Sequence, residues 1–252
     1  MKKALFAILI FLSLPYHAAA GGSFKILPAT VFLTPERKTE TLKITNQTDA
    51  EKVSFQLNAM KWTQNEEGKD VYEPTDEIVF FPKIIIAKKD EEIMIRVGYQ
   101  RQEETGIEKA YRLFIRELPV SKPGENTLKM TVNMGVPVFV SPAKNTKSDK
   151  AKYAEGKSVE NIAVSNGNLM IKVKNSGNIH FSVQKIAVSG FDASNNQIFS
   201  QEVKGWYVLP GITKSFPCKI PDDVCVRIKT VHAAAHTDNA VLESKTEISQ
   251  LK

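Results

Sequence analysis

Apolar and polar residues alternate with period two along most of the chain. Thr41-Leu42-Lys43-Ile44-Thr45, Val53-Ser54-Phe55-Gln56-Leu57 and Ile93-Met94-Ile95-Arg96-Val97 each carry one oily and one wet face. Polar clusters punctuate them: Asn46-Gln47-Thr48-Asp49, Asn65-Glu66-Glu67-Gly68 and Ala87-Lys88-Lys89-Asp90. Further on, Leu169 to Lys174 predicts a strand, Asn175-Ser176-Gly177-Asn178 a turn, and His180 to Val188 the next strand. Ser194-Asn195-Asn196 and Leu209-Pro210-Gly211 predict two more turns. Short alternating runs at this spacing predict an all-β chain of sandwich type. No long stretch repeats with the helical period of about 3.6 residues.

The N-terminus reads differently. Lys2 and Lys3 precede an apolar run from Ala4 to Leu14, which Pro15 ends before Ala18-Ala19-Ala20 and Gly21. A positive start, a short apolar core and small residues before a cut are the marks of a secretory signal, here residues 1–20. The run is too short for a membrane anchor, which needs about 20 apolar residues. The mature chain is therefore expected outside the cytoplasm.

With 252 residues, one large or two small domains are expected. The segment Ser141-Pro142-Ala143-Lys144-Asn145-Thr146-Lys147-Ser148-Asp149-Lys150 is polar and without period, and reads as a linker. It divides the mature chain into 21–145 and 146–252. The first half carries 18 Lys+Arg against 18 Asp+Glu, the second 14 against 10. A surplus so dilute, on an exported chain, argues against nucleic acid as a partner.

One run stands out. Every even position from Leu128 to Val140 is apolar: Leu128, Met130, Val132, Met134, Val136, Val138 and Val140. A strand of that length would exceed about 40 Å, far beyond the usual strand. Pro137 cannot donate to a ladder, so at least that part belongs at an edge or a bulge. Long apolar edges are normally avoided because they invite pairing; one that is kept can serve to add a strand to another protein's sheet. On pattern alone an ordinary central strand is the better reading.

A resemblance changes that weighting. Tyr111-Arg112-Leu113-Phe114-Ile115-Arg116-Glu117-Leu118-Pro119, followed by the alternating run and Val138-Phe139-Val140-Ser141-Pro142, resembles the periplasmic pilus-assembly chaperones of chaperone–usher systems in Gram-negative bacteria. Leu33-Thr34-Pro35, Ile44-Thr45-Asn46 and Lys61-Trp62-Thr63-Gln64 add to it upstream. Downstream, Val173 to His180 and Tyr207-Val208-Leu209-Pro210-Gly211 look like that family's second domain. The resemblance implies two immunoglobulin-like β-sandwiches set as an L or boomerang. It implies a last strand of the first domain that lends its side chains to an incomplete pilus or surface-fibre subunit, with Leu128, Met130, Val132 and Met134 as the donated residues. It also implies delivery to an outer-membrane usher, without cofactor, small-molecule substrate or covalent chemistry.

In the better-known branch of the family, a basic pair in the interdomain cleft anchors the subunit's C-terminal carboxylate. Here Ala29 and Pro137 stand at the matching positions. With the Tyr-Arg-Leu motif, this departure resembles the archaic branch, where the Arg of that motif is the expected anchor: Arg112. A planar guanidinium suits a carboxylate because it binds bidentately. In a strand, Arg112, Phe114 and Arg116 share one face and Tyr111, Leu113 and Ile115 the other. Arg116 is thus a second candidate, unless it pairs with a carboxylate such as Glu117.

Other chemistry is sparse. Cys218 and Cys225 lie close in sequence, and in an oxidising compartment a structural disulfide between them is expected. His232 and His236 have i,i+4 spacing but lack the Glu after the first His that a zincin needs, and no metal is expected. Nucleophile-elbow, phosphate-loop and dinucleotide motifs are absent. A secreted two-domain binding module, for instance for carbohydrate, and a hydrolase on a sandwich scaffold stay open as rivals, as does a homodimer of the free chaperone that hides the edge.

Overall fold

A computed structural model describes residues 23–100, 106–119, 131–142, 156–165 and 167–248. The expected signal at 1–20, most of the expected linker, and Leu128 and Met130 lie outside the described residues. The first part of the chain forms β1 (Ser23–Leu27), β2 (Val31–Leu33), β3 (Thr39–Gln47), β4 (Lys52–Gln64), β5 (Asp70–Pro74), β6 (Ile78–Phe81), β7 (Ile84–Lys88), β8 (Glu92–Tyr99), β9 (Lys109–Leu118) and β10 (Asn133–Val140). One sheet runs β1-β3-β8-β6 and the other β2-β10-β9-β4-β5, with β7 also on β4. Alternation directs Leu42, Ile44, Phe55, Leu57, Ile95 and Val97 into one core between them.

The second part adds β11 (Lys157–Ser165), β12 (Asn168–Asn175), β13 (Phe181–Phe191), β14 (Gln197–Lys204), β15 (Tyr207–Val208), β16 (Thr213–Lys219), α1 (Asp222–Cys225), β17 (Thr230–Thr237) and β18 (Val241–Glu247). Sheets β11-β12-β16 and β14-β13-β17-β18 enclose a second core that includes Leu169, Ile171, Val183, Ile186, Val231 and Ala233. The all-β, two-sandwich expectation is thus met, and among the described residues the only helix is the single turn α1.

The predicted turns have visible causes. Asn46 is fully buried; its Nδ2 donates to the Ala87 and Ala50 carbonyls, and its Oδ1 accepts from the Thr48 backbone and hydroxyl. Asn175 does the same work in the second domain, donating to the Ile179 and Val208 carbonyls while Gly177 N–H donates to its Oδ1. Buried amides satisfied in this way fix the turn that encloses them.

The expected disulfide is not formed: Cys218 and Cys225 are free thiols. Cys218 points from β16 into the second core, its Sγ 3.6 Å from Gln201 Oε1, while α1 carries Cys225 to a half-buried position on the same core. Sequence spacing showed that the loop could close but not that the residues between would coil into a turn. Burial pushes the Cys218 thiol pKa up, which keeps it protonated and slow to react. In native protein a thiol reagent is expected to label Cys225 well before Cys218, with both reacting after denaturation. Finding neither reactive after denaturation would mean that they are bonded.

His232 and His236 lie on β17, extended rather than helical. Four residues of strand separate them by about 13 Å, too far to share an ion.

Candidate functional site

The site starts from the period-two geometry of β9. Tyr111, Leu113 and Ile115 point into the first core, and each is fully buried. Ala110, Arg112 and Phe114 therefore turn to the outer face of the sheet, as the sequence predicts. Tyr111 hydroxyl donates to Glu77 Oε2, which also meets Lys109 Nζ at 3.3 Å. Burial first, then this carboxylate, push the Tyr111 phenol pKa far above its ordinary value, so it stays a neutral donor. The Tyr of the Tyr-Arg-Leu motif is structural: it pins β9 so that the next residue faces outward.

Arg112 is 8% exposed, at the junction of the two sandwiches. Its guanidinium carbon lies 4.3 Å from the Trp62 ring centre and 5.3 Å from that of Trp206, both within cation–π range. Nη1 donates to the Gly135 carbonyl at 3.3 Å. Nε and Nη2 are buried and have no hydrogen-bond partner. Among the described residues no carboxylate forms an ion pair with it. A buried cation with two unpaired donors is costly unless it has a task. Arg116, the second candidate, is exposed beside Asn133, far along the same strand. Glu117 does not pair with it: its Oε2 accepts from Val132 N–H at 3.1 Å.

Next to Arg112 runs β10. It pairs antiparallel with β9 along its whole length, Asn133 opposite Arg116 through Val140 opposite Lys109. On its other side, β2 pairs in parallel with only Val138, Phe139 and Val140. Among the described residues, Asn133 to Pro137 thus have a neighbour on one side alone. The parity of the amides follows from two bonds. Glu117 N–H donates to the Val132 carbonyl, so even residues address β9; Ser141 N–H donates to the Leu33 carbonyl, so odd residues address the β2 side. Asn133 and Gly135 therefore direct their N–H and C=O groups to the open edge. Pro137 has the same parity, so its missing N–H costs no bond with β9. Met134 packs partly against the first core, and Val132 is 41% exposed. Of the four expected donor residues, these two lie on the inward-facing register of an edge strand; the described strand begins at Asn133, later than the sequence run.

The junction itself is a third apolar cluster of Trp62, Ala110, Phe139 and Leu209, with Tyr72 and Tyr207 against it. Polar clasps surround it. Glu108 Oε1 accepts from the His180 backbone at 2.9 Å and lies 2.5 Å from His180 Nδ1. The His180 ring stacks on Phe139 at 3.5 Å. Gln64, almost fully buried, donates to the Tyr207 carbonyl and accepts from Leu209 N–H. Sequence reading missed Gln64, Asp70 and Trp206 as site residues. The one signal was composition: the chain has two tryptophans, and both meet at Arg112.

At this junction two immunoglobulin-like sandwiches meet beside an edge strand that, among the described residues, is paired on both sides only at Val138–Val140, and beside a guanidinium with two unpaired donors. Residues 23–146 match the model of the pili and flagellar-assembly chaperone family, PapD N-terminal domain, and the chain belongs to this family. Among solved structures, it is similar to a chain of the CsuC–CsuE chaperone–tip adhesion subunit pre-assembly complex from archaic chaperone-usher Csu pili of Acinetobacter baumannii. There the TM-score is 0.59 at 18% identity, covering 91% of this chain and 100% of that one. The E. coli chaperone DraB gives 0.55 at 15% identity, with 90% and 98% covered. A chain of the Salmonella enterica SafA pilin complex with the SafB chaperone gives 0.55 at 14%, with 88% and 96% covered. At these identities the likeness is one of fold. No curated protein sequence matches the chain.

Proposed function

We propose that the chain is a periplasmic chaperone of the archaic branch, which completes pilus or surface-fibre subunits by lending them β10 and passes them to an outer-membrane usher. The subunit's last strand pairs with the free edge at Asn133–Pro137, running parallel to β10 as β2 does further on. Its C-terminal carboxylate then meets Nε and Nη2 of Arg112. Val132 and Met134, with Leu128 and Met130 upstream, fill the subunit's groove. Methionine suits a groove of varying shape, because its thioether is unbranched and adaptable. On this reading residues 1–20 are removed on export, 21–145 form the donor domain and 146–252 the second domain.

One observation carries the proposal: a guanidinium that is buried, unpaired and placed at the end of an open strand edge. Of the two candidate anchors this supports Arg112. Hydrogen exchange on chaperone purified alone and with its subunit tests it. The amides of Asn133 and Gly135 are expected to exchange fast in the free protein and slowly in the complex, while Val136 and Val138 stay protected in both. Unchanged exchange at Asn133 and Gly135 on complex formation would refute strand donation.

A further inference from the structure

Asp70 lies in the first domain, and Trp206, a ring beside Arg112, in the second. Trp206 follows Gly205, whose backbone passes so close to β13 that a Cβ there would lie 1.8 Å from the Val183 carbonyl oxygen. Only glycine permits that crossing, and from it the Trp206 ring packs partly against the second core while its indole N–H reaches the first sandwich. There Trp206 Nε1 donates to Asp70 Oδ2 at 2.8 Å. Asp70 opens β5, opposite Gln64 of β4, whose Nε2 donates to Asp70 Oδ1 at 2.9 Å. Tyr72 hydroxyl reaches Oδ2 at 3.4 Å. The carboxylate is thus held by first-domain groups and in turn holds a second-domain ring. That ring lies within cation–π distance of Arg112, together with Trp62.

We infer that Asp70 and Trp206 are positioning residues for the carboxylate anchor, and that the anchor is complete only when the two domains are docked. The inference rests on the proposed role of Arg112. Two indole rings within cation–π distance shield the guanidinium from water and restrict its rotation, and a planar cation so held presents a bidentate edge rather than a diffuse charge. Asp70 is engaged by Trp206, Gln64 and Tyr72 and makes no ion pair with Arg112. A direct Asp70–Arg112 pair would consume the donors that a subunit needs; instead the indole takes the Asp70 carboxylate. The device therefore keeps a cation available by giving a carboxylate on the same ring other partners.

Preference for a free C-terminus tests this in the whole chain. The probes are fluorescein-labelled Val-Thr-Val-Thr-Val-Thr-Val with a free C-terminal carboxylate and the same peptide as its C-terminal amide, compared by anisotropy. Wild-type protein is expected to bind the carboxylate about tenfold or more tightly, the scale of charge-assisted hydrogen bonds. Arg112→Met should bring the ratio to about one. Trp206→Ala should bring it within about threefold while affinity for the amide peptide stays unchanged, a split that general damage would not produce. Asp70→Ala, in the β4–β5 hairpin, should give the same split and serves if Trp206→Ala does not fold. A Trp206→Ala or Asp70→Ala protein that keeps the wild-type ratio overturns the positioning role but leaves the anchor intact. A wild-type ratio of one overturns the anchor reading, and this inference with it.

Discussion

Asn133→Pro combined with Val132→Asp is expected to abolish recovery of soluble subunit on coexpression, with the free chaperone still folded. Asn133 directs its N–H to the open side of β10, so proline removes an edge donor without taking one from β9, as Pro137 already does. Val132 is 41% exposed in the free protein, and a carboxylate there meets water. In a complex the same carboxylate would enter an apolar groove. Losing one donated side chain removes about 1.5–3 kcal/mol, and one main-chain bond about 0.5–1.5 kcal/mol. Together they weaken capture by about thirtyfold to two-thousandfold. The melting transition of the free chaperone should move little, because neither change touches the core. Normal subunit yield from the double variant would show that β10 is not donated.

The second large effect separates binding from stability. Arg112→Met is expected to leave the free chaperone as stable as the wild type or more so, by about 1–3 kcal/mol, because it removes a buried cation whose donors at Nε and Nη2 are unpaired. Methionine keeps an unbranched apolar stem between Trp62 and Trp206. Capture of subunit should fall by about 2–5 kcal/mol, the usual cost of deleting one partner of a desolvated charge pair. Arg112→Lys should not restore it, since a point charge neither stacks between indoles nor binds bidentately. Arg116→Ala, at an exposed position, should change either property by no more than about 0.5 kcal/mol. Stability and capture falling together in Arg112→Met would make Arg112 a structural residue and leave the carboxylate without an anchor.

Much of this architecture was legible because a strand has a strict period of two. Once Tyr111, Leu113 and Ile115 were read as inward, Arg112, Phe114 and Arg116 had to face out. Pro137 likewise marked an edge without any knowledge of its neighbours. What the chain order concealed was distance in three dimensions. Trp206 meets Asp70 across 136 positions, and what favours Arg112 over Arg116 as the proposed anchor is its burial beside Trp206 of the second domain. The cysteines misled for a related reason. Their spacing measured the loop between them, whereas α1 and the inward direction of Cys218 decided where each sulfur went. The upstream reach of the expected donor strand, through Leu128 and Met130, lies outside the described residues, and the described ladder begins at Asn133.

The three-residue parallel pairing of β2 with Val138–Val140 has a practical bearing. It works as a buffer stop on a rail. On the proposed reading a guest chain sliding along β10 runs out of track at Pro137, the residue opposite Arg112, so its terminus is gauged to within a residue or so. Cargo extended past that point, as by a purification tag fused behind its final residue, would butt against Val31 and be refused however well the rest of it fits.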